Sequence, residues 1–384
     1  LDMEFLHDGT PRPTKDALWD FVPAATPAPA TKDTYNSELL AILASPNVAS
    51  KEWVIRQYDH EVQGTSAIKP LVGVGEDGPG DAAVVTPIYG SNKAVVISCG
   101  MNPTLGDLDP YQSALHAVDE ALRNLVSVGG DVETTAILDN FCWGNCNKPD
   151  RMGALVQAAK ACYEAAMTYG TPFVSGKDSL NNEFKTDTGE TIAIPPTLLI
   201  SAFGLVEDAS QCVTSDAKTA GNKVYLVGTT RPEIGGAHLL RANGLETGND
   251  VPPVDCKTNF NTFVALSAAI RGGLVRACHD LSEGGLATAA AEMAFSGGLG
   301  IKLSTDAMVL DGDVSQTAKL FGESAGRFLV ETTPDNAAAF EAAMGETALA
   351  ALGEITNTAR VQIDGEIDLA NTDTKAAWQG TFNW

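Results

Sequence analysis

Two stretches in which strand-like and helix-like patterns alternate, separated by a polar segment at 214–221, constrain the fold of this chain most strongly. Apolar residues recur every three or four positions in the predicted helices, and short β-type runs lie between them. In chain order the predicted elements are helices at 37–43 and 50–63, strands at 82–85 and 94–97, a helix at 110–128, a strand at 134–138, a helix at 151–169, strands at 172–174 and within 192–206, a strand at 223–228, helices near 260–271 and 286–295, a strand at 326–331 and a helix at 334–344. Such alternation is typical of α/β domains, and 384 residues are enough for two of them.

The start of the chain differs from the rest in composition. Five prolines between positions 11 and 29 lie among Ala and Thr, and prolines at this density prevent helix formation. We therefore predict a Pro-rich linker at 1–36, a first domain at 37–214 and a second domain at 221–384.

The charge of the chain excludes several classes of function. It has 25 Lys and Arg against 49 Asp and Glu, a formal net charge of −24. A general nucleic-acid binder needs a basic surface that displaces counterions, and a polybasic membrane-surface protein needs the same. No apolar run approaches the ~20 residues of a membrane-spanning helix. The prediction is a soluble, cytoplasmic protein with neither a nucleic acid nor a membrane as its partner.

Three polar segments adjoin predicted strands and are candidates for chemistry. GPGD at 78–81 enters a strand, and Asp81 is either a solvated turn residue or a carboxylate beside the metal ions of a nucleotide. Asp139 directly follows the strand at 134–138, where it either caps the next turn or faces a ligand. SGKDS at 175–179 is either a plain polar turn or a phosphate-binding turn with a permissive glycine, a cationic lysine and two hydroxyls.

Two further patterns resemble known motifs only superficially. GVGEDG at 73–78 fits the dinucleotide pattern G-x-G-x-x-G, but a strand-like run follows it where that fingerprint requires a helix. HDLSEGG at 279–285 contains His, Asp and Ser, yet neighbours on one turn cannot adopt the geometry of a hydrolase triad. Asp280 or Ser282 is predicted instead to cap the helix that follows.

Eight segments match one known family when they are taken together and in order. They are RQYDHEVQG (56–64), GPGDAAVV (78–85), MNP (101–103), LDPY (108–111), AVDEALRNL (117–125), SGKDSLNNE (175–183), HDLSEGG (279–285) and FGES (321–324). The set resembles the synthase portion of the phosphoribosylformylglycinamidine synthases of purine biosynthesis, in the aminoimidazole ribonucleotide synthetase superfamily.

The resemblance implies a fold and a reaction. The fold is an α/β (α+β) arrangement of an N-type ferredoxin-like, half-barrel domain followed by a C-type three-layer α/β domain. The match is to the second of two such repeats and its preceding linker, so the chain is expected to be a fragment. The implied enzyme is an ATP- and Mg²⁺-dependent ligase that converts formylglycinamide ribonucleotide and glutamine-derived ammonia to the amidine. The implied partners are the first half of the synthase and a glutaminase, with or without a small bridging subunit.

The resemblance also assigns residues. By motif match, Asp139 and Gly176 contact ATP, Ser179 contacts the substrate, and Lys177 occupies a position beside magnesium. Short forms of the family often have Asn at the position of Lys177. A protonated lysine cannot ligate a metal, so neutralising phosphate is its alternative role.

A second departure concerns catalysis. The first repeat of the family has a catalytic histidine and a magnesium-binding glutamate where this chain has SCGMNP at 98–103. Ser98 and Asn102 supply neither group, so no catalytic residue is predicted in this chain, which is expected to be inactive alone. Two other readings stay open: a non-catalytic structural module that binds nucleotide, and a stand-alone kinase or synthetase of the superfamily.

Overall fold

Two mixed β-sheets, one in each half of the chain, organise the structure. The computed structural model describes residues 1–57 and 61–382. The strands of the first half are β1 (Ser66–Ile68), β2 (Leu71–Val72), β3 (Gly78–Pro79), β4 (Ala83–Val85), β5 (Ala94–Gly100), β6 (Ala136–Cys142), β7 (Phe173–Ser179), β8 (Glu183–Lys185), β9 (Thr191–Ala193) and β10 (Thr197–Val206). Its helices are α1 (Asn36–Leu43), α2 (Glu52–Ile55), α3 (Pro103–Gly106), α4 (Pro110–Ser127) and α5 (Pro149–Tyr169).

The first sheet has the strand order β1-β4-β5-β10-β6-β7. Among the described residues its neighbouring strands are antiparallel except for β6 and β7, which are parallel. Helix α4 packs against β5 and β10, and α5 packs beside α4. Strand β7 is therefore an edge strand, and the short pairs β2–β3 and β8–β9 form separate hairpins.

The second half contains the larger sheet. Its strands are β11 (Lys223–Val227), β12 (Ala277–Asp280), β13 (Gly300–Leu303), β14 (Phe328–Thr332), β15 (Leu349–Thr356), β16 (Arg360–Ile363) and β17 (Ile367–Ala370), in the order β12-β14-β11-β15-β13-β16-β17. Its helices are α6 (His238–Ala242), α7 (Cys256–Arg271), α8 (Gly285–Gly297), α9 (Gln316–Phe321), α10 (Ala337–Met344) and α11 (Asn371–Gly380). Strands β13 and β16 are parallel and the other described neighbours are antiparallel.

Helix α4 lies at the junction of the two halves. The side chain of Asp109 caps it by accepting hydrogen bonds from the backbone N–H groups of Tyr111 and Gln112, and Pro110 occupies a first-turn position where its missing N–H costs nothing. The helix contacts both α5 and α7. One apolar core consequently includes Leu122 of the first half and Phe263 of the second.

Helix α1 packs away from the first sheet, although it precedes that sheet in the sequence. Leu39, Ile42 and Leu43 are fully buried in a second core that belongs mainly to the second half. Their neighbours there include α8 and α11. Helix α1 thus helps to join the two halves.

The predicted α/β class is confirmed, because each half of the chain combines one mixed β-sheet with packed helices. Most of the predicted elements are present, with small changes in their bounds. The helix predicted at 50–63 is wrong in length, because it ends at Ile55 and a turn follows. Residues 58–60 of that prediction lie outside the described residues.

Two predicted strands are longer than their apolar runs. The strand expected at 134–138 is β6, which extends to Cys142, and the strand expected at 172–174 is β7, which extends to Ser179. Parallel pairing between the two strands satisfies their backbone hydrogen-bonding groups. This pairing extends both strands into polar sequence, where no apolar pattern indicates a strand. The segment at 175–179 is therefore a strand, and the prediction of a turn there is wrong.

None of the helices in the described ranges is both long and apolar enough to cross a membrane.

Candidate functional site

Parallel pairing of β6 with β7 places Asp139 directly beside Gly176. The two residues share one face of the sheet, and a Cβ atom at position 176 would overlap the carboxylate of Asp139. Glycine is therefore required at this position for the carboxylate to keep its place. Asp139 lies within β6 rather than after it, so the sequence-based expectation of a strand end is corrected.

The carboxyl group of Asp139 is electrostatically poised to accept a proton or a hydrogen bond. Burial raises its pKa above the usual value, and the nearby charge of Asp178 acts in the same direction. The backbone N–H of Lys177 donates to it and partly opposes the rise. The raised pKa makes the carboxylate of Asp139 a better hydrogen-bond acceptor than an ordinary surface carboxylate.

Lys177 and Ser179 lie on the opposite face of the same edge strand. They are in register with Asn140 and Cys142, and the Nζ atom of Lys177 donates a hydrogen bond to Oγ of Ser179. Side chains alternate along a strand, so Asp139 and Gly176 cannot share a face with these two. The four residues, which we call the edge site, therefore flank the exposed edge of the first sheet from both sides.

The edge site combines an exposed strand edge with an ammonium group, a hydroxyl group and carboxylates. Residues 174–178 are exposed, so their unpaired edge backbone groups are open to a ligand. The ammonium group of Lys177 and the hydroxyl group of Ser179 are phosphate donors. Asp139 and Asp178 supply carboxylates that fit Mg²⁺, whereas protonated Lys177 cannot be a metal ligand.

A second group of ionisable side chains lines a cavity of about 250 Å³ between the two halves. Nδ1 of His279 lies 2.6 Å from Oδ1 of Asp81, and its Nε2 lies 3.0 Å from Oε2 of Glu292. Burial alone would lower the pKa of His279, but the two carboxylates outweigh it and raise that pKa well above its usual value. We call this group the acidic cavity; its ionisable members are Asp81, Glu120, His279, Asp280, Glu283 and Glu292.

In the acidic cavity, one carboxylate oxygen lacks a hydrogen-bond partner within the described part of the chain, and one carboxyl group has a raised pKa. Oδ2 of Asp81 is buried and has no hydrogen-bond partner among the described residues. Burial raises the pKa of Glu120, and the neighbouring carboxylate of Glu283 raises it further. Asp81 is therefore not the solvated turn residue that one sequence reading allowed, since its side chain is only 3% exposed.

Arg123 of α4 connects the acidic cavity to the second half. Its guanidinium group pairs with Asp119 and with Asp280, at 3.1 Å to the latter, and it donates to Ser282. Asp119 also accepts hydrogen bonds from Tyr169 and Asn259. A buried ion network thus spans the seam between the halves.

The predicted capping of α8 by Asp280 or Ser282 is wrong. The side chain of Asp280 is occupied by Arg123, and Gly284 takes the N-cap position with no side-chain cap. The carboxylate of Glu323 accepts a hydrogen bond from the backbone N–H of Gly284 at 2.8 Å instead. Glu323, which is distant in the sequence, therefore bonds the N-terminus of α8 in place of the neighbouring Asp280 or Ser282.

Sequence reasoning also missed Glu120 as a functional candidate. Glu120 and Asn124 are four residues apart on α4 and both line the acidic cavity. Their spacing on one helix face was the available signal. By contrast, Ser98 and Asn102 have structural contacts: Ser98 donates to the carbonyl of Ala121, and Asn102 caps α3.

Comparison with known proteins agrees with this two-part architecture. Residues 79–206 match the family described as "AIR synthase related protein, N-terminal domain", and residues 219–366 match "AIR synthase related protein, C-terminal domain". The chain belongs to the AIR synthase related proteins.

Within that class the chain is similar to one particular enzyme subunit. It is 36% identical over 382 residues to phosphoribosylformylglycinamidine synthase subunit PurL of Anaeromyxobacter dehalogenans, covering 96% of this chain and 48% of that protein. The chain therefore spans about half the length of the curated relatives it matches.

Solved structures show the same fold. The structure of T. maritima PurL complexed with FGAR matches 88% of this chain and 53% of that one, with a TM-score of 0.67 and 19% identity. A HypE–HypF complex matches 76% of this chain and 92% of that one, with a TM-score of 0.56 and 16% identity.

Proposed function

We propose that this chain forms one half of a cytoplasmic phosphoribosylformylglycinamidine synthase, with the linker at 1–36, the N-type domain at 37–214 and the C-type domain at 221–384. The observation that carries the proposal is the edge site. An acceptor carboxylate and a glycine lie on one side of an open strand, and an amine and a hydroxyl lie on the other. The 36% identity to PurL supports the same reaction.

In the proposed reaction, ATP activates the amide oxygen of formylglycinamide ribonucleotide by phosphoryl transfer. Ammonia released by a glutaminase then displaces phosphate and gives the amidine, together with ADP. Asp139 and Gly176 contact ATP, Lys177 neutralises charge on its phosphates, and Ser179 orients the substrate. Asp139 and Asp178 are the carboxylates that would hold Mg²⁺, which spreads the charge that develops on the phosphoryl oxygens.

The remaining catalytic groups come from a partner. Ser98 and Asn102 cannot act as a magnesium ligand and a general base, so the first half of the synthase supplies both functions in this proposal. The surface that receives it is the outer face of the first sheet, away from α4. Its exposed apolar residues include Ile97 and Leu205, which are 47% and 57% exposed.

An amidation assay tests the composite site. Ammonia-dependent conversion of formylglycinamide ribonucleotide is measured with the chain alone and with a separately expressed first half. We expect activity only in the mixture, and a loss of at least tenfold with Asp139→Ala or Ser179→Ala. Gly380→Ala is the control, because a Cβ there meets nothing within 4 Å.

Two results would contradict the proposal. Amidation or kinase activity from the chain alone would establish a stand-alone enzyme. Full activity of both edge-site variants, in protein that melts like wild type, would show that the edge site contributes nothing to the reaction.

The acidic cavity favours a second candidate function, that of a structural nucleotide-binding module. Its oxygen-rich lining and the unpartnered Oδ2 atom of Asp81 fit a hard divalent cation. Asp81 and Asp280, whose carboxylate oxygens lie within 4.8 Å of each other, would hold the ion, which would neutralise the phosphates of a bound nucleotide. Arg123 and His279 already neutralise part of the acidic charge, so the capacity for further cations is small.

Calorimetric titration with MgADP separates the two candidates. A structural module predicts binding that weakens at least tenfold in Asp81→Asn and Asp280→Asn, while Asp139→Ala binds as wild type. The exposed Glu354→Gln is the matched control for loss of one charge. Binding that is unchanged in both cavity variants would exclude this second candidate.

A further inference from the structure

The linker is bound to both halves of the molecule along residues 18–26. The backbone N–H of Leu18 donates to the carbonyl of Pro149, the first residue of α5, at 2.8 Å. Further along, the N–H of Ala24 donates to Oδ1 of Asn249 at 2.7 Å, and the N–H of Thr26 donates to Oδ1 of Asp250 at 2.9 Å. The segment is extended, as its prolines predict, yet it is not a free connector.

The second half returns these hydrogen bonds. The N–H of Asn249 donates to the carbonyl of Ala24 at 2.7 Å, and its Nδ2 donates to the carbonyl of Val22 at 3.0 Å. The N–H of Gly248 donates to Oγ1 of Thr26 at 3.0 Å. Backbone groups of residues 248 and 249 and the side chains of residues 249 and 250 therefore bond to the linker.

One glycine in each half makes room for the linker backbone. A Cβ at Gly153, inside α5, would overlap the carbonyl oxygen of Leu18. A Cβ at Gly248 would likewise overlap the carbonyl oxygen of Ala24. Glycine disfavours a helix interior relative to alanine, so close approach of the linker is the physical reason for Gly153 in α5.

The 248–250 loop that the linker holds directly follows a residue that lines a cavity of about 410 Å³. Thr247 lines this cavity, and its Oγ1 accepts a hydrogen bond from the N–H of Gly236. Thr104 and Asp107 of the first half line the opposite side. A continuous set of contacts therefore connects the linker, through residues 247 and 248, to the cavity between the halves.

We propose that residues 18–26 form a fixed strap that ties the start of α5 to the 248–250 loop and so holds Thr247, which lines the interdomain cavity. The two attachment points act as one unit, because the chain between them is too short and too restricted by Pro23 to dock independently. Residues 1–18, which end at the first attachment point, are exposed.

Hydrogen exchange on the full chain, read by mass spectrometry, tests the strap. In wild type the amides of Leu18, Ala24 and Thr26 should exchange at least tenfold more slowly than those of residues 14–16. In Gly153→Ala all three amides should lose this protection, and so should Gly236. In Gly380→Ala, the matched control, protection should stay as in wild type.

A second variant removes contacts at the other attachment point of the strap, the 248–250 loop. Asn249→Ala removes two side-chain hydrogen bonds to the strap and should expose Leu18 as well as Ala24, although Leu18 is bound to the opposite half. The strap is refuted if wild-type protection of 18–26 equals that of 14–16. It is also refuted if either variant releases only its own end, since the two contacts would then be independent.

Discussion

At the scale of single residues, the edge site depends on the absence of a side chain. Gly176 leaves the space that the carboxylate of Asp139 occupies, and no other residue provides that space. Elsewhere, buried charge is compensated by specific partners. Nδ1 of His238 lies 3.1 Å from Oε1 of Glu323, and its Nε2 contacts the side-chain amide of Asn47.

Gly176→Ala should displace the Asp139 carboxylate while leaving β7 paired. We expect the KM for ATP in the reconstituted amidation assay to rise at least tenfold, equivalent to about 1.4 kcal/mol of lost binding. The melting temperature should change little, because the strand is at an exposed edge. Gly380→Ala is the control, and an unchanged KM would show that the position of Asp139 is irrelevant to nucleotide.

The ion pair of His238 should make stability depend on pH. Burial alone lowers its pKa, but Glu323 outweighs burial and raises it to about 9. The protonated imidazole of His238 therefore stabilises the folded state. This stabilisation is complete at pH values below the pKa of the unfolded chain, about 6.5, and it is lost as the pH rises through 9.

The size of that loss is on the order of 3 kcal/mol in the free energy of unfolding between pH 6 and pH 9.5. Urea titrations of wild type and His238→Gln across this range measure it as a difference between the two proteins. The difference should shrink steadily with rising pH. A constant difference would mean that His238 does not titrate in this range.

At the scale of elements, α4 joins the two halves through charge as well as packing. Its apolar side contributes to a core shared by both halves, and Arg123 and Asp119 on the same helix reach the second half. The side chains of both residues are at most 4% exposed. Loss of one partner therefore leaves the other charge buried.

Arg123→Leu should destabilise the protein by about 3–5 kcal/mol, since Asp119 and Asp280 lose their shared cation. Urea unfolding at pH 7 measures the change. The double variant Arg123→Leu, Asp280→Asn should recover part of the loss because one uncompensated carboxylate is removed. Arg360→Leu, at an exposed ion pair, is the control and should cost less than about 1 kcal/mol.

At the scale of the whole molecule, helices in the part of the chain that the structure describes cover one face of the first sheet. Helix α4 packs on β5 and β10, whereas the outer side of those strands carries exposed Ile97 and Leu205. A contiguous apolar sheet face of this kind is typical of a protein interface. In the proposed synthase it binds the first half.

Ile97→Glu and Leu205→Glu should weaken association with the first half at least tenfold each, because a charge is buried without a partner. Size-exclusion chromatography or calorimetry of the two purified halves measures this. Both variants should melt like wild type, since the side chains are exposed in the chain alone. Unchanged affinity in both would place the partner on another surface.

The sequence by itself determined the mixed α/β class, most elements and the motifs that carry the family resemblance. The helical spacing of apolar residues located α4, because a long helix must bury one continuous apolar stripe, and alanine-rich composition located α5. Periodicity failed at 175–179, where polar side chains concealed a strand whose paired residues lie 37 positions earlier in the chain. The prediction that Asp280 caps α8 also failed, because its carboxylate pairs with Arg123, which is distant in the sequence.

Only the tertiary structure decided which residues meet. The neighbours of Gly176, Asp280 and Gly153 come from β6, α4 and the linker, and no local pattern records these contacts. Local propensity depends on a few consecutive residues, whereas strand register, buried ion pairs and close backbone approaches depend on pairs that are far apart in the chain. Helices and strands could therefore be predicted from the sequence, whereas the contacts that form the sites depend on tertiary packing.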